Sequence, residues 1–263
     1  MKEKEIENFF KKFVKPYLKD KTAKKTQKQK YKLKYQHTLR TANVAWDLAK
    51  KLQWSKHDVN LAYLIGMLHD ICRFDQIKET DSFRDSKDFE HGDIGHDLIK
   101  SHELIKSLVG KEDFDIILHA VKQHNKLRVD PRIKDKRTLN FCHLIRDADK
   151  LDILYTVLHS YEIKNFKEIT KKDPKEKIIS KTIMYNIHNH KITDNKHKKT
   201  KVDELCYLLG FMFDFHFKKS LEIFKEKKYL DKYLKYLKDN PNFEDIKNSY
   251  LKYLDWKKQS FLI

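Results

Sequence analysis

Apolar residues recur at intervals of three and four along much of the chain, which is the periodicity of amphipathic α-helices. The first such segment carries Ile6, Phe9, Phe10, Phe13, Val14 and Tyr17. A polar, lysine-rich link over residues 19–30 follows, and the apolar stripe returns from about residue 31 to 52. The pattern therefore predicts an N-terminal helix and link over residues 1–30, and then a second, longer helix.

The rest of the chain continues the helical pattern with two polar interruptions. Ser55-Lys-His-Asp58 has the form of a capping box and is predicted to open the third helix. Further helices are predicted from about Gly92 and over residues 113–124, 139–158, 202–224 and 243–254. The interruptions are an irregular stretch over residues 75–90 and a weakly periodic, lysine-rich segment over residues 164–201.

Turn-forming residues are scarce, with only 5 Gly and 4 Pro in 263 residues. Sheet-rich folds need many tight turns, so this scarcity favours long helices. We therefore expect an all-α helical bundle of nine or more helices. Its core would span residues 31–160, a lysine-rich excursion would occupy 161–201, and C-terminal helices over 202–263 would pack on the core.

Composition narrows the class of protein. A hydrophobic share of 40% and an aromatic share of 12% are enough to bury a core and argue against disorder. The N-terminal residues have no apolar signal-peptide segment, and no apolar run approaches the roughly 20 residues that span a bilayer. The three cysteines, Cys72, Cys142 and Cys206, lie far apart in apolar segments. They are typical of free thiols in a reducing compartment, so we expect a cytoplasmic protein without a membrane partner.

The net charge of +18 raises the question of a nucleic-acid partner. Arginine, the residue that nucleic-acid readers favour, occurs at only seven positions, and lysine supplies the other 50 basic residues. A dedicated polynucleotide surface is therefore the less expected alternative. A positive field would still attract small phosphorylated molecules. The oligomeric state is left open.

Histidine and aspartate side chains stand inside or at the ends of the most apolar predicted helices. His69 and Asp70 end one such helix, and Asp149 lies within another. Because an uncompensated buried charge is expensive, these groups need partners. A divalent metal ion would satisfy them together, since imidazole and carboxylate suit Mn²⁺, Fe²⁺, Zn²⁺ or Ni²⁺. Asp147 competes with Asp149 on helical geometry alone.

The order of these residues resembles the HD-domain superfamily of metal-dependent phosphohydrolases. That family has a lone His, an adjacent His-Asp pair and a distal Asp, which correspond here to His37, His69-Asp70 and Asp149. The segment LIGMLHDICRF resembles the text around the family's His-Asp pair, and IRDADKLD resembles its terminal segment. The resemblance covers about residues 31–158. It implies an HD-type bundle with a metal site in its core, and its register selects Asp149 over Asp147.

Two more histidines extend the resemblance to family members with two metal ions. His91 and His124 lie in order between the pair and Asp149, as in the HD-GYP phosphodiesterases and the di-iron enzyme myo-inositol oxygenase. The resemblance implies that His37, His69 and Asp149 hold one ion, that His91 and His124 hold the other, and that Asp70 bridges them. The ions, one or two of Mn, Fe, Mg, Co, Ni or Zn, are not identified by the sequence.

The expected reaction is hydrolysis of a phosphomonoester or phosphodiester, most often in a nucleotide. Water activated by the metal would attack phosphorus, with Asp70 at the catalytic centre. Lys150, Arg40 and Arg73 are the candidate cations for the anionic transition state. Two alternatives stay open at this point: a di-iron oxygenase of the myo-inositol oxygenase type, and a non-catalytic module that binds nucleotide or nucleic acid.

Overall fold

The structure is a computed structural model that describes residues 3–86 and 89–260. Over these residues the elements are helices and no β-strand is present, which confirms the predicted all-α fold. The chain divides into two compact units, Met1–Asp152 and Ile153–Ile263. None of the described helices combines the length and apolar character needed to cross a membrane.

Among the residues described, eight α-helices begin in the first unit. They are α1 Glu3–Lys19, α2 Lys25–Lys51, α3 Lys56–Leu68, α4 Arg73–Thr80, α5 His91–Lys100, α6 Glu103–Leu108, α7 Lys111–Gln123 and α8 Lys136–Leu158. The last of these continues past the boundary between the units. The predicted cap of the third helix is present, because the Ser55 hydroxyl accepts a hydrogen bond from the Asp58 amide at 3.1 Å.

A close approach between α2 and α3 organises the core of the first unit. A Cβ atom added at Gly66 would lie only 2.5 Å from the Cα atom of Ala42, so only glycine fits there. Ala42 and its neighbours Ala45 and Ala49 are fully buried. The contact brings the C-terminal end of α3 against the middle of α2, where the candidate site lies.

The first unit departs from the predicted pattern at α2 and α4, among other places. Helix α2 begins at Lys25 within the predicted link, because the Gln27 side chain accepts a hydrogen bond from the Lys24 amide and caps the helix. Helix α4 lies in the stretch predicted to be irregular, where Phe74 and Ile77 bury one face. Residues 87 and 88 of that stretch lie outside the described residues.

The second unit contains seven further helices among the residues described. They are α9 Tyr161–Lys164, α10 Phe166–Lys172, α11 Lys181–His188, α12 Lys201–Leu209, α13 Lys218–Glu226, α14 Tyr229–Leu237 and α15 Phe243–Ser260. The single helix predicted over residues 202–224 is divided by a 3-10 turn, Gly210–Asp214. The apolar run around this turn is buried over several successive residues, so its pattern could not reveal the break.

The core of the second unit uses both apolar packing and satisfied polar groups. Ile183 and Ile187 of α11 are buried, so part of the lysine-rich segment contributes to this core. The Tyr250 hydroxyl donates to the Cys206 carbonyl at 2.8 Å. The fully buried Asp203 accepts hydrogen bonds from the Ser180 amide and hydroxyl, at 2.7 and 2.5 Å.

Candidate metal centre

The first cluster of potential metal ligands combines residues from α2, the end of α3 and α8. His37, His69, Asp70 and Asp149 each offer one ligand atom, and these atoms lie within 4.8 Å of one another. His37 Nε2 lies 3.1 Å from Asp149 Oδ1, and His69 Nε2 lies 3.2 Å from Asp70 Oδ2. We call these four residues the first group.

A second group, Asp70, His91 and His124, shares one residue with the first. The Oδ1 atom of Asp70 lies 3.7 Å from His91 Nε2 and 3.6 Å from His124 Nε2. Its Oδ2 atom faces the first group, 3.4 Å from His37 Nε2. The two carboxylate oxygens of Asp70 are therefore directed at different groups.

Glycine again allows the close approach that builds the second group. A Cβ atom at Gly92 on α5 would lie 2.8 Å from the Lys122 carbonyl of α7 and 2.4 Å from Asn125 Oδ1. With only hydrogen at this position, the start of α5 approaches the end of α7. The Nε2 atoms of His91 and His124 consequently lie 3.1 Å apart.

All four clustered histidines have an acceptor at Nδ1 and direct Nε2 towards the other ligands. The acceptors, at 2.6–2.7 Å, are the Asp152 carboxylate for His37, the Gly66 carbonyl for His69, the Asp85 carboxylate for His91 and the Val121 carbonyl for His124. A carbonyl can only accept, so Nδ1 of His69 and His124 carries the proton. In its neutral form such a ring offers a lone pair at Nε2, as metal-binding histidines do.

Four candidate ligand atoms of the two groups lack hydrogen-bond partners among the described residues. His37 Nε2, His69 Nε2, Asp70 Oδ1 and Asp149 Oδ1 are buried and have no hydrogen-bond partner among the described residues. Buried polar atoms in native proteins are normally satisfied, so each such atom calls for an explanation. A divalent cation could accept a lone pair from each of these atoms. Nitrogen and carboxylate donors suit first-row transition metals. The residues present thus fit a divalent ion.

Electrostatics in the first group favour ionised carboxylates. Burial alone would raise the pKa of Asp70, but Lys34 and His69 hold it well below its usual range. Burial alone would lower the pKa of His37, yet its carboxylate neighbours, first among them Asp149, raise it to about 10. A positive charge is therefore stabilised at the centre of this group, whether it is a proton or a metal ion.

The electrostatics of the second group differ from those of the first. Burial lowers the pKa of His91 to about 3, although its hydrogen bond to Asp85 opposes the shift, and the imidazole is neutral at neutral pH. Nη2 of Arg73 lies 3.2 Å from His91 Nε2 and can donate to it, so this ring does not depend on a metal for a partner. Glu90 and Asp85 could also group with His91, but Glu90 is already bound by Lys126.

The candidate cations occupy different places. Arg40 donates from Nε to one oxygen of Asp152 at 2.7 Å and from Nη2 to the other at 3.2 Å. Nη1 of Arg73 donates to Asp85 at 2.8 Å. These two arginines hold the carboxylates that orient His37 and His91. Lys150 follows Asp149 on α8 and is half-buried.

Sequence reasoning missed several residues at the site, among them Lys34, Asp85 and Asp152. Lys34 lies with its Nζ atom 2.5 Å from Asp70 Oδ2. Its position three residues before His37 on the same helix face could have indicated it. Asp85 comes from the stretch without periodicity, where no sequence signal marks it.

The two competing aspartates of α8 are separated by the structure. Asp149 brings an oxygen into the first group, while Asp147 is buried and lies in neither group. The same helix also fixes the end of α7. Arg146 donates to the Gln123 and Leu127 carbonyls at 3.2 and 3.1 Å, on either side of His124.

Residues 35–154 match the family model described as HD domain. All six residues of the two groups lie in this range, so the chain carries an HD domain, as the resemblance implied. An HD domain suggests a metal-dependent phosphohydrolase, and with the buried His/Asp cluster it suggests divalent metal binding. Neither the comparison with curated proteins nor that with solved structures gave a match.

Proposed function

We propose that the HD domain binds two divalent ions and hydrolyses a phosphomonoester or phosphodiester, with a nucleotide as its substrate. The observation that carries the proposal is the shared carboxylate: Asp70 directs Oδ2 at the first group and Oδ1 at the second. A carboxylate in that position can bridge two ions, an arrangement suited to in-line displacement at phosphorus. A one-ion form would use only His37, His69, Asp70 and Asp149.

The proposed roles follow from the contacts. His37, His69 and Asp149 would hold one ion, His91 and His124 the other, and Asp70 both. When bound, the ions supply Lewis-acid chemistry, which polarises a phosphoryl oxygen and acidifies water. The carboxylates of Asp152 and Asp85 fix the rings of His37 and His91 for this task, and partners of this kind raise ligand basicity.

Positive groups around the ligands support reaction with an anionic substrate. Arg40, Arg73 and Lys150 would contribute to the field that stabilises the transition state. No covalent nucleophile is needed. Burial raises the pKa of the nearby Cys72 thiol to about 12, so this group is protonated at neutral pH and a poor nucleophile.

Metal analysis of the purified protein, followed by a nucleotide panel assayed with Mn²⁺, Mg²⁺, Co²⁺ and Ni²⁺, tests the proposal. We expect about two ions per chain and release of phosphate or a nucleotide product. His91→Ala and His124→Ala should each reduce the content to about one ion, with a large loss of rate. His57→Ala is the matched control, because His57 pairs with Asp113 outside both groups.

Three results would contradict this proposal. A Mn²⁺-saturated protein that binds one ion and is indifferent to both substitutions would leave the one-ion form. The same set of four imidazoles and two carboxylates also suits a di-iron oxygenase, which is the second candidate. Consumption of O₂ by the Fe²⁺-loaded protein, without phosphate release, would favour that candidate. A protein that shows neither phosphate release nor O₂ consumption would be a binding module.

A further inference from the structure

We propose that Lys34 binds the phosphate group of the substrate directly. The inference rests on the proposed function and adds a substrate-contacting residue that the family order does not indicate. Lys34 lies on α2, one turn before His37. Its Nζ atom is 2.5 Å from Asp70 Oδ2, the oxygen directed at the first group.

The surroundings of Lys34 hold its ammonium group at the edge of the ligand cluster. The side chain is 13% exposed, close to the 15% of Asp149, whereas the side chains of His37 and Asp70 are each 4% exposed. The Phe83 ring lies with its centroid 5.4 Å from Nζ, which favours a cation there. The side chain of Lys34 is therefore more exposed than those of the ligands His37 and Asp70.

The charge balance of Lys34 depends on what Asp70 binds. Without metal ions, the Asp70 carboxylate is the counter-charge of the ammonium group. Once Asp70 ligates divalent ions, its charge is largely neutralised, and the ammonium group is left beside like charges. A mostly buried ammonium group without a counter-charge is costly. An anion at the ions would restore the balance, and a phosphate oxygen is the anion that the proposed reaction supplies.

The arginines near the site do not share this dependence. Arg40 is paired with Asp152 and Arg73 with Asp85, and neither carboxylate belongs to the two ligand groups. Arg73 Nε also lies 3.5 Å from Asp70 Oδ1, but Asp85 is its nearer carboxylate. Both arginines therefore keep their counter-charges when ions are bound. Among the described residues Lys34 has Asp70 as its sole ion-pair partner, which distinguishes it from both arginines.

The test compares metal content with phosphate binding in three variants. Lys34→Met removes the charge and keeps the aliphatic stem, Lys34→Arg keeps the charge, and Lys32→Met is the control on an exposed position of the same helix. Metal content is measured on the purified, Mn²⁺-loaded proteins. Inorganic phosphate is then titrated into each by calorimetry, as a probe that requires no turnover.

We expect Lys34→Met to retain its Mn²⁺ and to bind phosphate about tenfold or more weakly, the effect of losing one hydrogen bond between charged groups. Lys34→Arg should recover most of the affinity, and Lys32→Met should match the wild type. Unchanged phosphate affinity in Lys34→Met would overturn the inference. Loss of Mn²⁺ from that variant would also overturn it, because Lys34 would then serve only to position Asp70.

The test of Lys34 and the test of the proposed function can give different outcomes. A wild-type protein that binds Mn²⁺ and binds phosphate through Lys34, yet hydrolyses none of the nucleotides in the panel, would support Lys34 as a phosphate ligand and reject the hydrolase as proposed. A hydrolase whose phosphate affinity is indifferent to Lys34→Met would keep the function and reject the role of Lys34.

Discussion

The two units differ in how they treat buried charge. Both are helical and both have apolar cores, but the second buries a single charged side chain among its described residues, Asp203. Its carboxylate accepts hydrogen bonds from Ser180 and from the Lys199 amide. In the first unit, the fold brings His37, Asp70 and their neighbours together. Several of their own candidate ligand atoms have no hydrogen-bond partner in the described part of the chain.

This contrast separates a structural use of charge from a chemical one. A buried carboxylate whose oxygens are satisfied by amides and hydroxyls ties segments of backbone together. A cluster whose inward-facing atoms have no hydrogen-bond partners is suited to bind a ligand such as a metal ion. All seven arginines also lie in the first unit, and several of them hold ligand-bearing segments or their carboxylates. The net charge of +18 does not reveal this difference.

The largest expected effect is loss of the shared ligand. Asp70→Ala removes an oxygen from both groups, and His69→Ala removes a fully buried imidazole from the first. Outer partners of metal ligands are worth about 10–100-fold, so loss of a ligand should reduce hydrolysis by at least about 100-fold. Metal content and turnover measure the loss, and far-ultraviolet circular dichroism should show that the helices remain. Normal turnover in either variant would remove the metal centre from the mechanism.

The second prediction concerns register on α8. Asp149→Asn weakens a ligand of the first group, whereas Asp147→Asn alters a buried residue outside both groups. We expect the rate to fall at least about tenfold further in the first variant than in the second. Steady-state rates at saturating Mn²⁺ make the comparison. Equal losses, or the reverse order, would mean that the ligand is misassigned.

A glycine substitution should separate the two groups. Gly92→Ala forces α5 away from the Lys122 carbonyl, and overpacking of this kind costs about 1–3 kcal/mol. The second ion should be lost and the first retained. Gly210→Ala in the second unit is the matched control, since its Cβ would meet only Phe213 at 3.9 Å. Full metal content in Gly92→Ala would show that the second group tolerates the displacement.

The smallest effect is expected in the second unit. Asp203→Ala leaves the Ser180 and Lys199 donors without their acceptor, so the free energy of unfolding should fall by about 1–3 kcal/mol. Metal content and rate should match the wild type, because the residue has no part in either group. Urea unfolding and metal analysis give the two values. A change in bound metal would abolish the distinction drawn between the units.

Sequence patterns anticipated the fold better than the details of the site. A helix with one buried face, such as α1, follows from periodicity, whereas the short α4 and the break at Gly210 do not. The family order named the six residues that the structure brings together, and their roles as ligands stay a prediction. The acceptors at Nδ1 of His69 and His124 could not be predicted from the sequence, because Gly66 and Val121 act through backbone carbonyls, which every residue possesses. That the lysine-rich segment over residues 164–201 is peripheral to the site also stays a prediction.

The confinement of both ligand groups to Met1–Asp152 has a thermodynamic consequence. An ion that binds only the folded form adds about 2.7 kcal/mol to the free energy of unfolding when its free concentration is 100 times the dissociation constant. This increase in the free energy of unfolding would apply to the unit that contains the ligands. The supply of metal in the cell would then govern how long this unit resists local opening and proteolysis, and so the abundance of the protein as well as its activity.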